Sequence, residues 1–217
     1  MILTYIITAL VAYLLGSIPT GYLVGRAKGL DLRTMGSGNI GATNAFRILG
    51  KGPGIFVLLV DGLKGWVSVA WAGILVYRLM QGGARPDAQT SEYLRIIGGV
   101  CAILGHNYTC WLKFKGGKGI ATSAGVLAGL IPIAFLAGLI TWIVVCVLTK
   151  YVSVASITAA AVLPFATMFG GYSRLMIGIA TFMAALAIYK HKGNIERLRK
   201  GTENKFGAKK APPGAKG

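Results

Sequence analysis

Three polar stretches in an otherwise apolar chain carry the residue types that could do chemistry. The first is Met35-Gly36-Ser37-Gly38-Asn39-Ile40-Gly41-Ala42-Thr43-Asn44-Ala45-Phe46-Arg47, glycine-rich and free of carboxylates. Glycines let backbone N–H groups converge, and such concavities favour anions. Ser37, Asn39, Thr43 and Asn44 add neutral hydrogen-bonding groups, and Arg47 adds a rigid fork of donors suited to phosphate. The second stretch is Lys115-Gly116-Gly117-Lys118-Gly119-Ile120-Ala121-Thr122. Its glycines allow close backbone approach to an anion, and its two lysines supply point charges. In the third, His191 and Asn194 lie within one helical turn, beside Glu196 and Arg197. Clustered cations lower a histidine pKa, so His191 is expected to be a neutral donor or acceptor. The first loop reads as a holder of a phosphorylated small molecule at the membrane surface. Each stretch also has a plainer reading: a flexible linker, a topogenic basic loop and a structural interfacial histidine.

Two familiar patterns are excluded. Gly36-x-Gly38-x-x-Gly41 matches a dinucleotide fingerprint, with Asp61 at a plausible distance. That fingerprint needs a preceding strand and a βαβ unit, and Asp61 falls inside an apolar helix. The Lys115–Thr122 stretch lacks the GxxxxGK[ST] spacing of a P-loop. There is no clear GxSxG elbow, no HExxH helix, and no His-x4-Asp pair after His106 or His191. Only 6 Asp+Glu are present, and Cys101, Cys110 and Cys146 form no CxxC or Cys/His spacing. No metal site, no disulfide framework and no cofactor are expected. The inventory is one of anion holders without an obvious protein base, which suits substrates that bring charge, and a base, of their own.

The elements that position these stretches follow from composition. Of 217 residues, 54% are hydrophobic and 13% charged, against about 25% charged in soluble domains. The chain reads as an all-α polytopic membrane protein forming one bundle. The formal net charge of +17 favours anionic headgroups or substrates. Nucleic acid is rejected as a partner, because the charges lie beside spans.

Span one is expected over about Ile2–Val24, with Pro19 inside it and small residues at Ser17, Gly21 and Gly25. Pro19 frees carbonyls that neighbours must satisfy. A loop over 25–53 follows. Span two, about Gly54–Met80, contains Asp61 and Lys64 on one helical face, either as an internal ion pair or near the substrate. Span three covers about Tyr93–Cys110, with His106 near its end. The apolar stretch of about Ile120–Leu148 is interrupted by Pro132, and two further spans cover about Val152–Phe169 and Leu175–Tyr189.

Three basic segments, 25–53, 113–118 and the C-terminus, are placed in the cytoplasm by the positive-inside rule, and 81–92 outside. An outside N-terminus and a cytoplasmic C-terminus require an odd count. Breaking 120–148 near Pro132 gives about seven transmembrane helices. Its two pieces are short for a hydrocarbon core of about 30 Å. The expected division is a single catalytic transmembrane domain over 1–206 and a disordered basic tail over 207–217.

Three long motifs then coincide: Ser37-Gly38-Asn39-Ile40-Gly41-Ala42-Thr43-Asn44-x-x-Arg47; Gly105-His106 with Phe114-Lys115-Gly116-Gly117-Lys118-Gly119-x-Ala121-Thr122; and His191-x-x-Asn194-Ile195-x-Arg197-Leu198-x-x-Gly201-x-Glu203. With Gly16-Ser17-Ile18-Pro19-x-Gly21 and Asp61-x-x-Lys64-Gly65, the chain resembles the bacterial acyl-phosphate:glycerol-3-phosphate acyltransferases over about residues 1–206. The resemblance implies a seven-span inner-membrane enzyme with a cytoplasmic active site. It implies acyl transfer from acyl phosphate to the 1-hydroxyl of glycerol 3-phosphate, giving 1-acyl-glycerol 3-phosphate and phosphate. Neither acyl-CoA nor acyl carrier protein is the implied donor. Ser37, Arg47, Lys118, His191 and Asn194 are the implied catalytic set. Asn39, Gly41, Thr43, Asn44, His106, Lys115, Gly116, Gly117 and Glu203 are implied in substrate binding. The acyl chain is expected to leave between spans into lipid. A membrane transporter of phosphate esters is the alternative, since broken spans and basic loops also suit alternating access.

Overall fold

The computed structural model describes residues 1–207. The tail expected over 207–217 lies outside these residues, apart from Gly207. All regular structure among the described residues is helical.

The first span is two helices, α1 (Ile2–Ser17) and α2 (Thr20–Ala27). They part at Pro19, which has no N–H to donate to the preceding turn. The carbonyls freed there are capped from outside the span. Thr109 Oγ1 donates to the Ser17 carbonyl at 2.6 Å and Lys64 Nζ to the Ile18 carbonyl at 2.8 Å. The loop expected over 25–53 contains a short helix, α3 (Ala42–Leu49), and α4 (Lys51–Val67) begins right after it. Helix α4 continues through a wider π turn, Ser68–Ala72, into α5 (Gly73–Met80).

Helix α6 (Ala88–Asn107) starts earlier than the apolar run suggests. Asp87 caps it, accepting from the Thr90 amide at 2.8 Å. The apolar stretch after Gly119 breaks at Ile131 into α7 (Ile120–Leu130) and α8 (Pro132–Thr149). Proline is favoured at the first position of a helix and disfavours helix in the residue before it, so the break falls there. Helices α9 (Val152–Phe169), α10 (Arg174–Lys190) and α11 (Lys192–Arg199) are the last among the described residues.

Among the described residues, four stretches are long and apolar enough to cross a membrane: Ile2–Ala27, Lys51–Met80, Pro132–Thr149 and Val152–Phe169. Helix α10 has 17 residues, about 26 Å of rise, and α7 has 11, about 16 Å. Small residues set the packing. A Cβ on Gly16 would strike the Ala102 backbone, and one on Gly105 the Tyr13 carbonyl, so α1 and α6 cross in close contact. Gly65 and Gly125 hold α4 against α7 in the same way, facing the Thr122 and Gly62 carbonyls. A core including Val126, Leu127, Leu130, Ile131, Leu163, Met176 and Met183 ties α7, α9 and α10 together.

Candidate active site

The first polar stretch is held by one side chain. Asn44, at the start of α3, is buried. Its Oδ1 accepts from the Ser37 amide at 2.9 Å, and its Nδ2 donates to the carbonyls of Leu32 and Met35 at 3.1 and 3.0 Å. All its polar capacity toward the protein folds the loop back on the helix. Gly36 and Gly38 take positive φ to make the turn. Asn39 Oδ1 accepts from the Gly41 amide at 2.7 Å, which sets the entry to α3. The first-turn residues Ala42, Thr43 and Asn44 of α3 and the Arg47 side of the helix then line one cavity.

The second stretch turns at Lys113 and Phe114, both left-handed. The Gly116 and Gly117 amides donate to the carbonyls of Asn107 and His106 at 3.2 and 3.0 Å. Those N–H groups are therefore spent on the fold and do not form the anion cradle that the glycines suggest. Gly117 is there for space, because a Cβ would collide with the His106 imidazole. The turn sends the two lysines apart. Lys115 is exposed and lines neither of the two cavities described below. Lys118 lines both cavities and donates through Nζ to Asn194 Oδ1 at 2.5 Å.

The third stretch caps α10 and opens α11. His191 is buried, and its Nδ1 donates to the Ala187 carbonyl at 2.7 Å. A carbonyl can only accept, so Nδ1 carries the proton and a neutral ring leaves Nε2 as acceptor. Burial, then the nearby Lys118 charge, pushes the His191 pKa down to about 4. Glu203 gathers the helix ends. Its Oε1 accepts from Asn194 Nδ2 at 2.7 Å and Ser153 Oγ at 2.9 Å, and its Oε2 from Arg197 Nε at 2.7 Å. Burial pushes the Glu203 pKa up, but the hydrogen bonds from Asn194, Arg197 and Ser153 outweigh it, and the net direction is down. With both oxygens engaged and a negative charge, Glu203 is built to orient Asn194 and Arg197 rather than to touch phosphate.

These elements enclose a cavity of about 320 Å3. Its polar end is formed by Ser37, Asn39, Thr43, Arg47, Lys118, His191 and Asn194, and its other arm runs between α7, α8, α9 and α10. A smaller cavity of about 160 Å3 joins Ser37, Asn39, Gly116, Lys118, Lys190 and Arg197. Among the described residues, Arg47 has no carboxylate partner, and the acids lining the cavity are Glu203 and Asp61, the latter already paired with Lys64, against the cations Arg47, Lys118 and Arg197. The field falls on Lys118. Burial, only partly offset by Glu203 and reinforced by Arg197 and Arg47, lowers its pKa to about 8. A partly buried excess of positive charge beside two helix N-termini, those of α3 and α7, is a site that wants an anion.

Behind the cavity, Asp61 and Lys64 form a buried ion pair at 2.8 Å. Thr20 Oγ1 donates to Asp61 Oδ1 at 2.9 Å, and His106 Nδ1 lies 3.7 Å from the same oxygen. Asp61 and His106 both touch the cavity, so the pair is structural and borders the site at once.

The structure thus brings Ser37, Asn39, Gly41, Thr43, Asn44, Arg47, His106, Lys118, His191, Asn194 and Glu203 to one cavity, and Gly116 to its smaller neighbour. Lys115 stays outside, and Gly117 acts only through His106. Arg197, Ser153 and Lys190 were missing from the expected set. Arg197 had a signal, being one helical turn from Asn194. Ser153 had none, because its partner Glu203 is 50 residues away.

A family profile described as glycerol-3-phosphate acyltransferase matches residues 6–201. The glycerol-3-phosphate acyltransferase of Geotalea daltonii is 47% identical over 195 residues, 90% of this chain and 94% of the relative. That of Geobacter sulfurreducens is 46% identical, covering 95% of this chain and 100% of the relative. A crystal structure of PlsY (YgiH), an integral membrane glycerol 3-phosphate acyltransferase, in its glycerol 3-phosphate form, superposes with a TM-score of 0.79. It is 37% identical, covering 94% of this chain and 96% of that one. The lysophosphatidic acid form of PlsY matches with a TM-score of 0.77 at 36% identity.

Proposed function

The chain belongs to the glycerol-3-phosphate acyltransferase family and is a multi-pass membrane enzyme, and from that premise we propose that it acylates the 1-hydroxyl of glycerol 3-phosphate with acyl phosphate as donor. The products are 1-acyl-glycerol 3-phosphate, a lysophosphatidic acid, and inorganic phosphate, the first acylation in phospholipid synthesis. The observation that carries this reading is a cavity with two unlike ends. One end holds Arg47, Lys118 and Arg197 against Glu203, and the other is an apolar arm between four helices. A phosphorylated polar acceptor and a donor with a phosphate head and an acyl tail match those two ends.

In the proposed reaction the glycerol oxygen attacks the acyl carbonyl carbon. The new C–O ester bond forms, and the acyl C–O bond to phosphate breaks. Arg47 and Arg197 offer planar forks to phosphate, and Lys118 a point charge. Lys118 and the first-turn amides of α7 stabilise the tetrahedral oxyanion. His191, neutral with Nε2 as acceptor, and Asn194 position the acceptor. A phosphate oxygen of the substrates takes the hydroxyl proton, since the described part of the cavity places no carboxylate free to do so. Holding two anions side by side accounts for several kcal/mol of the barrier through positioning, on the order of 7 at best.

We further propose seven crossings, with the N-terminus outside and the cavity mouth and C-terminus in the cytoplasm, in the bacterial inner membrane. The break at Ile131 and the basic flanks of the cavity support that topology. The 16 Å of α7 then cross as the continuation of Gly116–Gly119, the half of the preceding loop that is tucked into the fold.

The test is a purified-protein assay with acyl phosphate and glycerol 3-phosphate. The expected result is equimolar 1-acyl product and phosphate, with acyl-CoA inactive as donor. Uptake of glycerol 3-phosphate into protein-containing vesicles without product formation would overturn the reading in favour of transport.

A further inference from the structure

The apolar arm of the cavity has a floor. At 1.5 Å of rise per residue, the lining descends along α9 from Ser153 to Leu163, about 15 Å. On α10 it runs from His191 to Met183. Below this level the helices close. Leu163 and Met183 are buried and packed in one cluster with Leu130, Met176 and Ala180, none of which touches the cavity. Above the floor, Gly138, Ala159 and Ala160 line the arm beside the larger Phe135, Leu139 and Trp142. A Cβ on Gly138 would lie 3.1 Å from Leu163 Cδ2, so α8 presses directly on a floor residue.

We infer that Met183 and Leu163 set the longest acyl chain the enzyme turns over efficiently. This rests on the proposed reading that the apolar arm holds the acyl tail. With the head fixed among Arg47, Lys118 and Asn194, the methyl end of the tail abuts the floor. One more methylene must then displace a side chain that is already close-packed. A shorter tail leaves the bottom of the arm empty and forfeits contact. In hydrophobic pockets one methylene changes kcat/KM by roughly 10- to 200-fold. The small wall residues matter for the same reason: enlarging Ala159 raises the floor by about one helical turn.

The test is competition among a graded series of saturated acyl phosphates, with products resolved by mass. Wild-type protein, Met183→Ala, Leu163→Ala and Ala159→Leu are compared at fixed glycerol 3-phosphate. The expected result is a tenfold or greater rise in the long-to-short kcat/KM ratio for Met183→Ala and Leu163→Ala. Ala159→Leu should lower that ratio tenfold, and all three should keep the wild-type KM for glycerol 3-phosphate. Should the enlarging variants not purify folded, Ala159→Leu alone decides. Active variants with the wild-type chain-length profile would overturn the inference and show that the tail leaves sideways into lipid. Absence of acylated product from wild-type protein with every acyl phosphate would instead overturn the functional reading beneath it.

Discussion

The charge on Lys118 should write itself into the pH profile. Its pKa is lowered to about 8 by burial and by Arg197 and Arg47, with Glu203 pulling the other way. At pH 7 the ammonium is then about nine-tenths formed, and at pH 9 about one-tenth, against nearly full protonation at both for a solvated lysine. If the charged form binds phosphate and the oxyanion, kcat/KM must fall about tenfold per unit above pH 8. The substrate phosphate, ionising near pH 6 or so, leaves that limb clean. The perturbation is Glu203→Gln. It removes the one carboxylate that raises the Lys118 pKa, so the basic limb should move to lower pH. It also replaces charge-assisted bonds to Asn194, Ser153 and Arg197 with a neutral amide facing donors on both sides. That costs about 2 kcal/mol, or about 30-fold in kcat/KM at the optimum. Initial rates between pH 6 and 10 or so, corrected for spontaneous acyl phosphate hydrolysis, read both effects. A wild-type profile flat to about pH 9.5, or a Glu203→Gln limb at or above the wild-type position, would refute the assignment.

Further outcomes follow from the same contacts. Asp61→Asn leaves Lys64 buried without its counterion and should cost about 3–5 kcal/mol, whereas an Asp61→Leu, Lys64→Met double variant should melt nearer to wild type in detergent. Gly117→Ala drives a methyl into the His106 ring and should abolish most turnover, while Gly52→Ala, which meets nothing within 4 Å, should leave kinetics unchanged. Asn44→Ala unties Ser37, Leu32 and Met35 at once. It should raise the KM for glycerol 3-phosphate at least tenfold and lower thermal stability by about 2–4 kcal/mol.

Much of this architecture is legible in the sequence because proline and glycine act locally. Pro19 and Pro132 mark breaks that the helices obey, and the carbonyls expected to need partners near Pro19 find Lys64 and Thr109. The three polar motifs announce the site because a membrane chain has few other polar residues. The extent of helix α3 is not legible: at eight residues, with no side-chain cap, it depends on Asn44, which folds the loop onto it, and on Ala45, Ile48 and Leu49 packing against Leu32 and Val57. Lys115 and Lys118 are chemically alike, and nothing in their neighbours tells them apart. The left-handed turn at Lys113 and Phe114 decides which one reaches the cavity. Glu203 reads as another ligand until its partners are seen, because Ser153, Asn194 and Arg197 come together only in the folded bundle.

The central claim is that Arg47 and Lys118, brought from distant loops, serve one anion-binding cavity. Its most direct measurement is kcat/KM for glycerol 3-phosphate, at saturating acyl phosphate, in Arg47→Met and Lys118→Met proteins that still insert and purify. Loss of one charged donor to phosphate, the Arg47 fork or the Lys118 ammonium, is worth about 3 kcal/mol, so each variant should fall at least 100-fold or so. Values within a few-fold of wild type in either variant would contradict the shared cavity and the reaction built on it.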